Sequence, residues 1–219
     1  MVNTFILNTD LLDDEQLFNK HLALMPEKRR DKVIRMAKEK QKLSLGAGIL
    51  IKAFVGDDIS YNEYGKPISD KLEFNISHSG KYVVISTASE PVGVDIQIFK
   101  RGMRHIAHRF FSVEECITID QSYTPDTTFI KIWSLKEAFL KCVGIGLCND
   151  LNNFSVKIDD DRITVSQNFN NNFYYFKNYE VEGYQLSVCC EDNRFANTLV
   201  DVTEKVLNGE DVTYLREIQ

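Results

Sequence analysis

The chain has few of the features that would place it outside the cytoplasm. Its five cysteines (Cys116, Cys142, Cys148, Cys189 and Cys190) are odd in number and never in CxxC spacing. That argues against a disulfide framework or a zinc ribbon, and such scattered thiols read as reduced core residues. No apolar run approaches the roughly 18 to 20 residues that cross a bilayer. The opening MVNTFILNTDLLDDE lacks the basic start and small-residue cleavage site of a signal peptide. There is no repeat, no low-complexity tail and no linker rich in proline, glycine or serine. These shortages predict a cytoplasmic protein with no membrane partner.

What is present is ordinary for a globular chain: 219 residues, 43% hydrophobic and 26% charged. That length suits one large domain or two small ones with a substantial core. The net charge of −6 argues against nucleic acid as the main partner. The charge is uneven, however. Residues 28 to 42, KRRDKVIRMAKEKQK, hold eight Lys or Arg against two acids, so this run carries +6 and the remainder −12. Two readings stand: a solvated helix face, or a trap for a compact polyanion.

The four prolines, Pro26, Pro67, Pro91 and Pro125, fall where the periodicity changes. TFILNT (4 to 9) reads as a strand, a helix starts near Asp13, and Pro26 opens another that carries the basic run. Residues 42 to 56 form a buried helix ended by Gly56. EYGKP (63 to 67) is a turn, and LEFNISHS and YVVISTAS are β segments. After Pro91 come the strand VGVDIQI, a helix near 103 to 110, another opened by FSVEECITI, and a long helix over about 126 to 143. Strands at 154 to 158, 162 to 166, 173 to 181 and 184 to 191 close the chain. Both halves run strand, helices, strands, which predicts an α+β protein of two similar halves, 1 to 90 and 91 to 219.

Three segments carry chemistry. In VGVDIQ (92 to 97) a carboxylate, Asp95, interrupts a buried strand, which is costly unless it is paired or bound to a cation. In WSLKEAFLKCVGIG (133 to 146), Trp133, Glu137 and Lys141 share one helical stripe, with a Glu137 to Lys141 surface ion pair as the plainer reading. Gly144 and Gly146 suit a helix C-cap better than a phosphate loop. FNISHSG (74 to 80) offers small hydroxyls, backbone N–H groups and one imidazole at a strand end, which suits phosphate binding or a plain turn. No GxSxG elbow or orienting acid makes it a nucleophile site. FSVEE (111 to 115) is a capping box with Ser112 as N-cap and Glu115 at N3. His105 and His108 share a helix face, but no further ligands follow at zinc spacing.

GKP (65 to 67), FNISHSG, VGVDIQ, RFFSVEE (109 to 115) and WSLKEAFLK, in this order and at these separations, resemble the Sfp-type 4′-phosphopantetheinyl transferases. The resemblance spans about residues 26 to 145. It implies the 4′-phosphopantetheinyl transferase fold, a monomeric pseudo-dimer of two α+β halves with coenzyme A in the cleft between them. It also implies the reaction: the 4′-phosphopantetheine arm of coenzyme A passes to a serine of an apo acyl or peptidyl carrier protein, and adenosine 3′,5′-bisphosphate is released.

The same resemblance assigns residues. Asp95 and Glu137 hold Mg²⁺, joined by Gln97 directly or through water, where many members have a third carboxylate. Lys141 contacts the transferring phosphate, and Glu137 accepts the proton of the carrier serine. Glu115 matches an acid that orients the hydroxyl, alongside its capping role. Lys28, Arg30, Lys32 and Lys42 are the candidates for the 3′-phosphate and pyrophosphate. Lys66, Pro67, Ser77 and His78 match positions that hold the nucleotide and its phosphates. Lys100, Arg101, Arg104 and Arg109 offer a surface to the carrier's acidic helix. The rival readings are a coenzyme A or nucleotide-binding module without transferase activity, and a basic-patch protein that recognises an acidic partner.

Overall fold

A computed structural model describes residues 1–63, 66–145, 151–159 and 162–216. Tyr64 and Gly65 of the expected EYGKP turn, together with Gly146 and Cys148, lie outside the described residues.

Strand β1 (Asn3–Asn8) is buried on both faces, with Phe5 and Leu7 in one core and Ile6 in another. Three helices follow: α1 (Glu15–Ala23), capped by the Asp14 side chain, α2 (Glu27–Ile34) behind Pro26, and α3 (Lys38–Phe54). A short hairpin, β2 (Ser60–Tyr61) with β3 (Pro67–Ile68), flanks the GKP segment. The hairpin of β4 (Glu73–Ser79) and β5 (Tyr82–Ala88) then returns beside β1, in the order β1-β5-β4.

After Pro91 the scheme repeats. Strand β6 (Val92–Ile98) leads into α4 (Ala107–Phe110), α5 (Val113–Asp120) and the long α6 (Pro125–Val143). A small hairpin of β7 (Ser155–Asp159) and β8 (Arg162–Ser166) follows. The hairpin of β9 (Tyr175–Val181) and β10 (Tyr184–Cys190) then returns beside β6, in the order β6-β10-β9. Within each half these pairings are antiparallel. The shared topology is that of the expected α+β pseudo-dimer.

Four layers result. Leu45, Leu50 and Phe54 of α3 cover Phe5, Leu7, Val83 and Ile85 on one face of the first sheet. The other face, through Ile6 and Val84, packs on Val92, Val94, Ile96, Leu186 and Val188 of the second sheet. Leu135, Ala138, Phe139 and Cys142 of α6 close the far side over Cys189.

The halves are also joined by a polar seam. Alternate residues of β4 accept hydrogen bonds from alternate N–H groups of β6: Val94 N to Asn75 Oδ1 at 3.0 Å, Ile96 N to Ser77 Oγ at 3.3 Å, and Ile98 N to Ser79 Oγ at 3.0 Å. Side chains thus satisfy N–H groups along the free edge of β6.

Two features were not foreseen. The basic run is divided between α2 and α3 at residues 35 to 37, so its cations do not share one helix face. The chain also ends by crossing back: β11 (Val200–Asp201) pairs in parallel with β1, and Val202 with Val206 and Leu207 of α7 (Thr203–Asn208) enters the first core. Among the described residues no helix is long and apolar enough to cross a membrane. Cys116, Cys142, Cys189 and Cys190 are free and buried, as the sequence suggested.

Candidate active site

The site forms where β6 meets α6 and the end of β4. Gly93 decides how closely β6 and α6 approach, because a Cβ there would overlap the backbone of Ala138 and Cys142. With no side chain at 93, the helix lies directly on the strand. Ser134 Oγ then donates to Asp95 O at 3.1 Å and fixes the register of one against the other.

Asp95 is 2% exposed. Its Oδ1 accepts from Lys141 Nζ at 2.6 Å and from Ser77 Oγ at 3.0 Å, and its Oδ2 accepts from Gln97 Nε2 at 2.9 Å. Lys141 Nζ also donates to Val94 O at 3.0 Å and Ser77 Oγ at 3.1 Å. The surface ion pair between Glu137 and Lys141 is therefore not what the structure contains: Lys141 turns to Asp95, and Glu137 is buried at 7% exposure. Burial, and next the charge of Asp95, push the Glu137 carboxyl up to about 7, with Lys141 opposing. The Lys141 ammonium is the cation that balances the buried Asp95 carboxylate here.

Ser77 is buried, its hydroxyl engaged by Asp95, Lys141 and Ile96. It thus serves the carboxylate directly. His78 points the other way, as strand alternation requires, into a pocket of about 470 Å³. Desolvation, then the charge of Lys141, lower the His78 pKa below its ordinary value. The pocket has apolar walls at Ala47 and Ile51 and polar ones at Arg29, Lys32, Lys40, Ser79 and His78, with Pro67 at its rim. A second pocket of about 570 Å³ shares Arg29 and Lys32 and adds Lys28 and Lys52. Lys66 Nζ donates to Lys141 O at 3.0 Å and so stands at the same junction, its pKa lowered mainly by burial.

Lys28 lines the second pocket, Pro67 and His78 line the first, and Lys32 lines both, while Lys66 Nζ reaches the α6 residue Lys141 whose ammonium meets Asp95. Arg30 and Lys42 line neither pocket. Arg30 Nη1 donates to Met25 O at 2.9 Å, and Lys42 Nζ pairs with Asp13 Oδ1 at 2.7 Å. Arg30 is engaged at the start of α2 and Lys42 on the α1 side of α3, while Arg29 and Lys40, which the sequence reading did not single out, line the pocket instead. Arg29 and Lys32 are i, i+3 partners on α2, a spacing that was visible once that helix was bounded.

Glu115 is also placed apart. It completes the Ser112 capping box, and its oxygens take Lys136 Nζ at 2.8 and 2.9 Å and Val156 N at 2.7 Å. Lys136, fully buried, donates as well to Phe154 O at 2.7 Å and lies 4.2 Å from the Phe154 ring centroid. This network locks α5, α6 and β7 together and leaves the Glu115 carboxylate fully occupied.

Known proteins resemble this chain in sequence. The model of the ACPS family, the 4′-phosphopantetheinyl transferase superfamily, matches residues 91–189. The chain is 31% identical over 203 residues to the 4′-phosphopantetheinyl transferase ffp of Bacillus subtilis, covering 85% of this chain and 91% of that one. It is 32% identical over 200 residues to the 4′-phosphopantetheinyl transferase Sfp of Bacillus subtilis strain 168, covering 84% and 89%. A further 4′-phosphopantetheinyl transferase of Bacillus subtilis is 36% identical over 149 residues, covering 65% of this chain and 66% of that one.

Proposed function

The chain belongs to the 4′-phosphopantetheinyl transferase superfamily, on its Sfp-type branch, and from that premise we propose how its own residues move phosphopantetheine from coenzyme A to a carrier protein. The acceptor is a serine hydroxyl of an apo acyl or peptidyl carrier protein. The serine oxygen bonds to the phosphorus that bears the pantetheine, the bond from that phosphorus to the pyrophosphate bridge breaks, and adenosine 3′,5′-bisphosphate leaves.

The observation that carries this reading is the buried pair Asp95 and Glu137, with Lys141 Nζ 2.6 Å from Asp95 on strand β6, which meets β4 beside the pocket lined by Arg29, Lys32 and His78. Lys28, Arg29, Lys32 and Lys40 hold the 3′-phosphate and pyrophosphate by charge. His78 and Lys66 serve the phosphates nearer the reacting bond, and Pro67 shapes the rim. Lys141 follows charge as it develops on the phosphoryl oxygens. Glu137 accepts the proton of the serine.

The donor set fits Mg²⁺. It consists of oxygens, two of them from carboxylates, the donors that a hard divalent cation takes. Asp95 and Glu137 hold the ion, with Gln97 adding its amide oxygen directly or through a water. Bound there, Mg²⁺ supplies charge neutralisation on the pyrophosphate during transfer. Glu115 acts beside these residues by holding α5 to α6.

The two halves, 1 to 90 and 91 to 219 with the last strand and helix returned to the first core, divide the work, the first supplying nucleotide and phosphate contacts and the second the metal and catalytic groups. The carrier docks beside the cleft on Lys100, Arg101, Arg104 and Arg109. There α5 adds two exposed apolar side chains, Val113 and Ile117, and the fully exposed Tyr123 stands nearby. Opposite charge would set approach and register, and the apolar groups would give contact area. The chain acts as a monomer, and in the cytoplasm, a compartment that suits the unpaired, buried thiols of Cys116, Cys142, Cys189 and Cys190.

Intact-mass spectrometry of several apo carrier proteins with the enzyme, coenzyme A and Mg²⁺ tests the proposal. One added phosphopantetheine on serine is expected in at least one carrier. No addition across a broad panel would overturn it.

A further inference from the structure

The Lys141 ammonium is held by three oxygens: Asp95 Oδ1 at 2.6 Å, Val94 O at 3.0 Å and Ser77 Oγ at 3.1 Å. A side-chain oxygen, a backbone carbonyl and a hydroxyl are the donors that a hard divalent cation also takes. Asp95 is engaged on both oxygens, because Ser77 shares Oδ1 and Gln97 holds Oδ2. A second positive centre brought to this carboxylate would sit a few ångströms from Nζ, and in a buried site such like charges repel strongly.

The two partners differ in freedom. The Asp95 side chain is 3% exposed and that of Lys141 is 28% exposed, so the lysine is the group with a way out. Its terminal bonds can swing the ammonium toward the pocket that His78 lines, while the strand keeps Asp95 in place.

We infer that Lys141 is an internal counter-ion that competes with the divalent cation for Asp95, so that cation binding expels the ammonium and delivers it to the phosphates. This rests on the metal-dependent transfer proposed above and adds an order of events to it. The lysine keeps the buried carboxylate neutralised before the site is loaded, and its charge becomes available to substrate only once the cation has arrived. Gln97 belongs to the same device: an amide donates to Asp95 where a carboxylate would repel it.

Mn²⁺ binding without coenzyme A tests the inference, read by the electron paramagnetic resonance of the free ion. Lys141→Met should bind Mn²⁺ roughly tenfold or more tightly than the unaltered protein, the scale of one charge-assisted hydrogen bond no longer in competition. Equal or weaker binding by a folded Lys141→Met overturns the competition. The unaltered protein provides a second reading that needs no variant. Acylation of Lys141 by an amine-reactive ester, followed by peptide mass spectrometry, should rise when Mn²⁺ is added, and unchanged labelling overturns the inference. Asp95→Asn separates the two proposals. If the unaltered protein shows no Mn²⁺ site that Asp95→Asn removes, the metal assignment itself falls and this inference with it. If that site exists but Lys141→Met does not tighten it, the inference alone falls.

Discussion

Lys141 Nζ lies 2.6 Å from Asp95 Oδ1, across 46 positions of sequence and between two different elements, α6 and β6. This pair joins the strand that carries the buried acid to the helix that carries Glu137. The following predictions test the parts that bring it about.

Gly93 lets α6 lie on β6. Gly93→Ala places a Cβ against the backbone of Ala138 and Cys142, where no flexible side chain can yield. Forced backbone shifts of this kind cost about 1 to 3 kcal/mol. Urea denaturation should show that loss, and phosphopantetheine transfer at a temperature where the variant is folded should fall by a larger factor than the folded fraction does.

The Glu137 carboxyl is raised to about 7 in the folded protein, above its ordinary value of 4.5. The folded state therefore binds more protons than the unfolded state between those values, and stability falls as pH rises through that window. The contribution is at most about 3 kcal/mol. In chelator, Glu137→Gln should gain stability relative to the unaltered protein between pH 5 and pH 8. A difference independent of pH would refute the assignment.

Arg29 and Lys32 line the two pockets, whereas Arg30 and Lys42 are engaged with Met25 and Asp13. Calorimetric titration with coenzyme A should show Arg29→Ala and Lys32→Ala weakening binding by roughly tenfold each, the scale of a lost hydrogen bond to a charged group. Arg30→Ala and Lys42→Ala should leave it within about twofold on that scale.

Glu115 and Lys136 form a buried ion pair, so removing one partner strands the other at a cost of about 3 to 5 kcal/mol. Lys136→Met should be severely destabilised, and the double variant Glu115→Leu with Lys136→Met should recover much of the loss. Recovery of transfer with stability would make Glu115 a structural residue. A stable but inactive double variant would return it to the chemistry.

Much of this was readable in advance where local pattern decides structure. The alternation in VGVDIQI, the apolar period from 125 to 143 and the Ser112 to Glu115 capping box all reappear as β6, α6 and the start of α5. Local pattern failed where contacts are distant. The break in the basic run has no proline or glycine to mark it, and the contacts of Arg30 with Met25 O and of Lys42 with Asp13 depend on packing that the run itself does not announce. The polar segment that holds β11 and α7 has too little apolar periodicity to announce an element, and its burial depends on β1, almost 200 positions earlier. Lys136 reads as one more surface lysine until α5 and β7 close over it.

Intact-mass analysis of an apo carrier protein, incubated with coenzyme A and Mg²⁺ and either the unaltered enzyme or Asp95→Ala, tests the account most directly. The unaltered enzyme should add one phosphopantetheine to the carrier serine. Asp95→Ala, folded and still binding coenzyme A through the basic pockets, should add none on the same time scale. Modification by Asp95→Ala at the rate of the unaltered enzyme would contradict the central claim, that transfer depends on the buried carboxylate of β6.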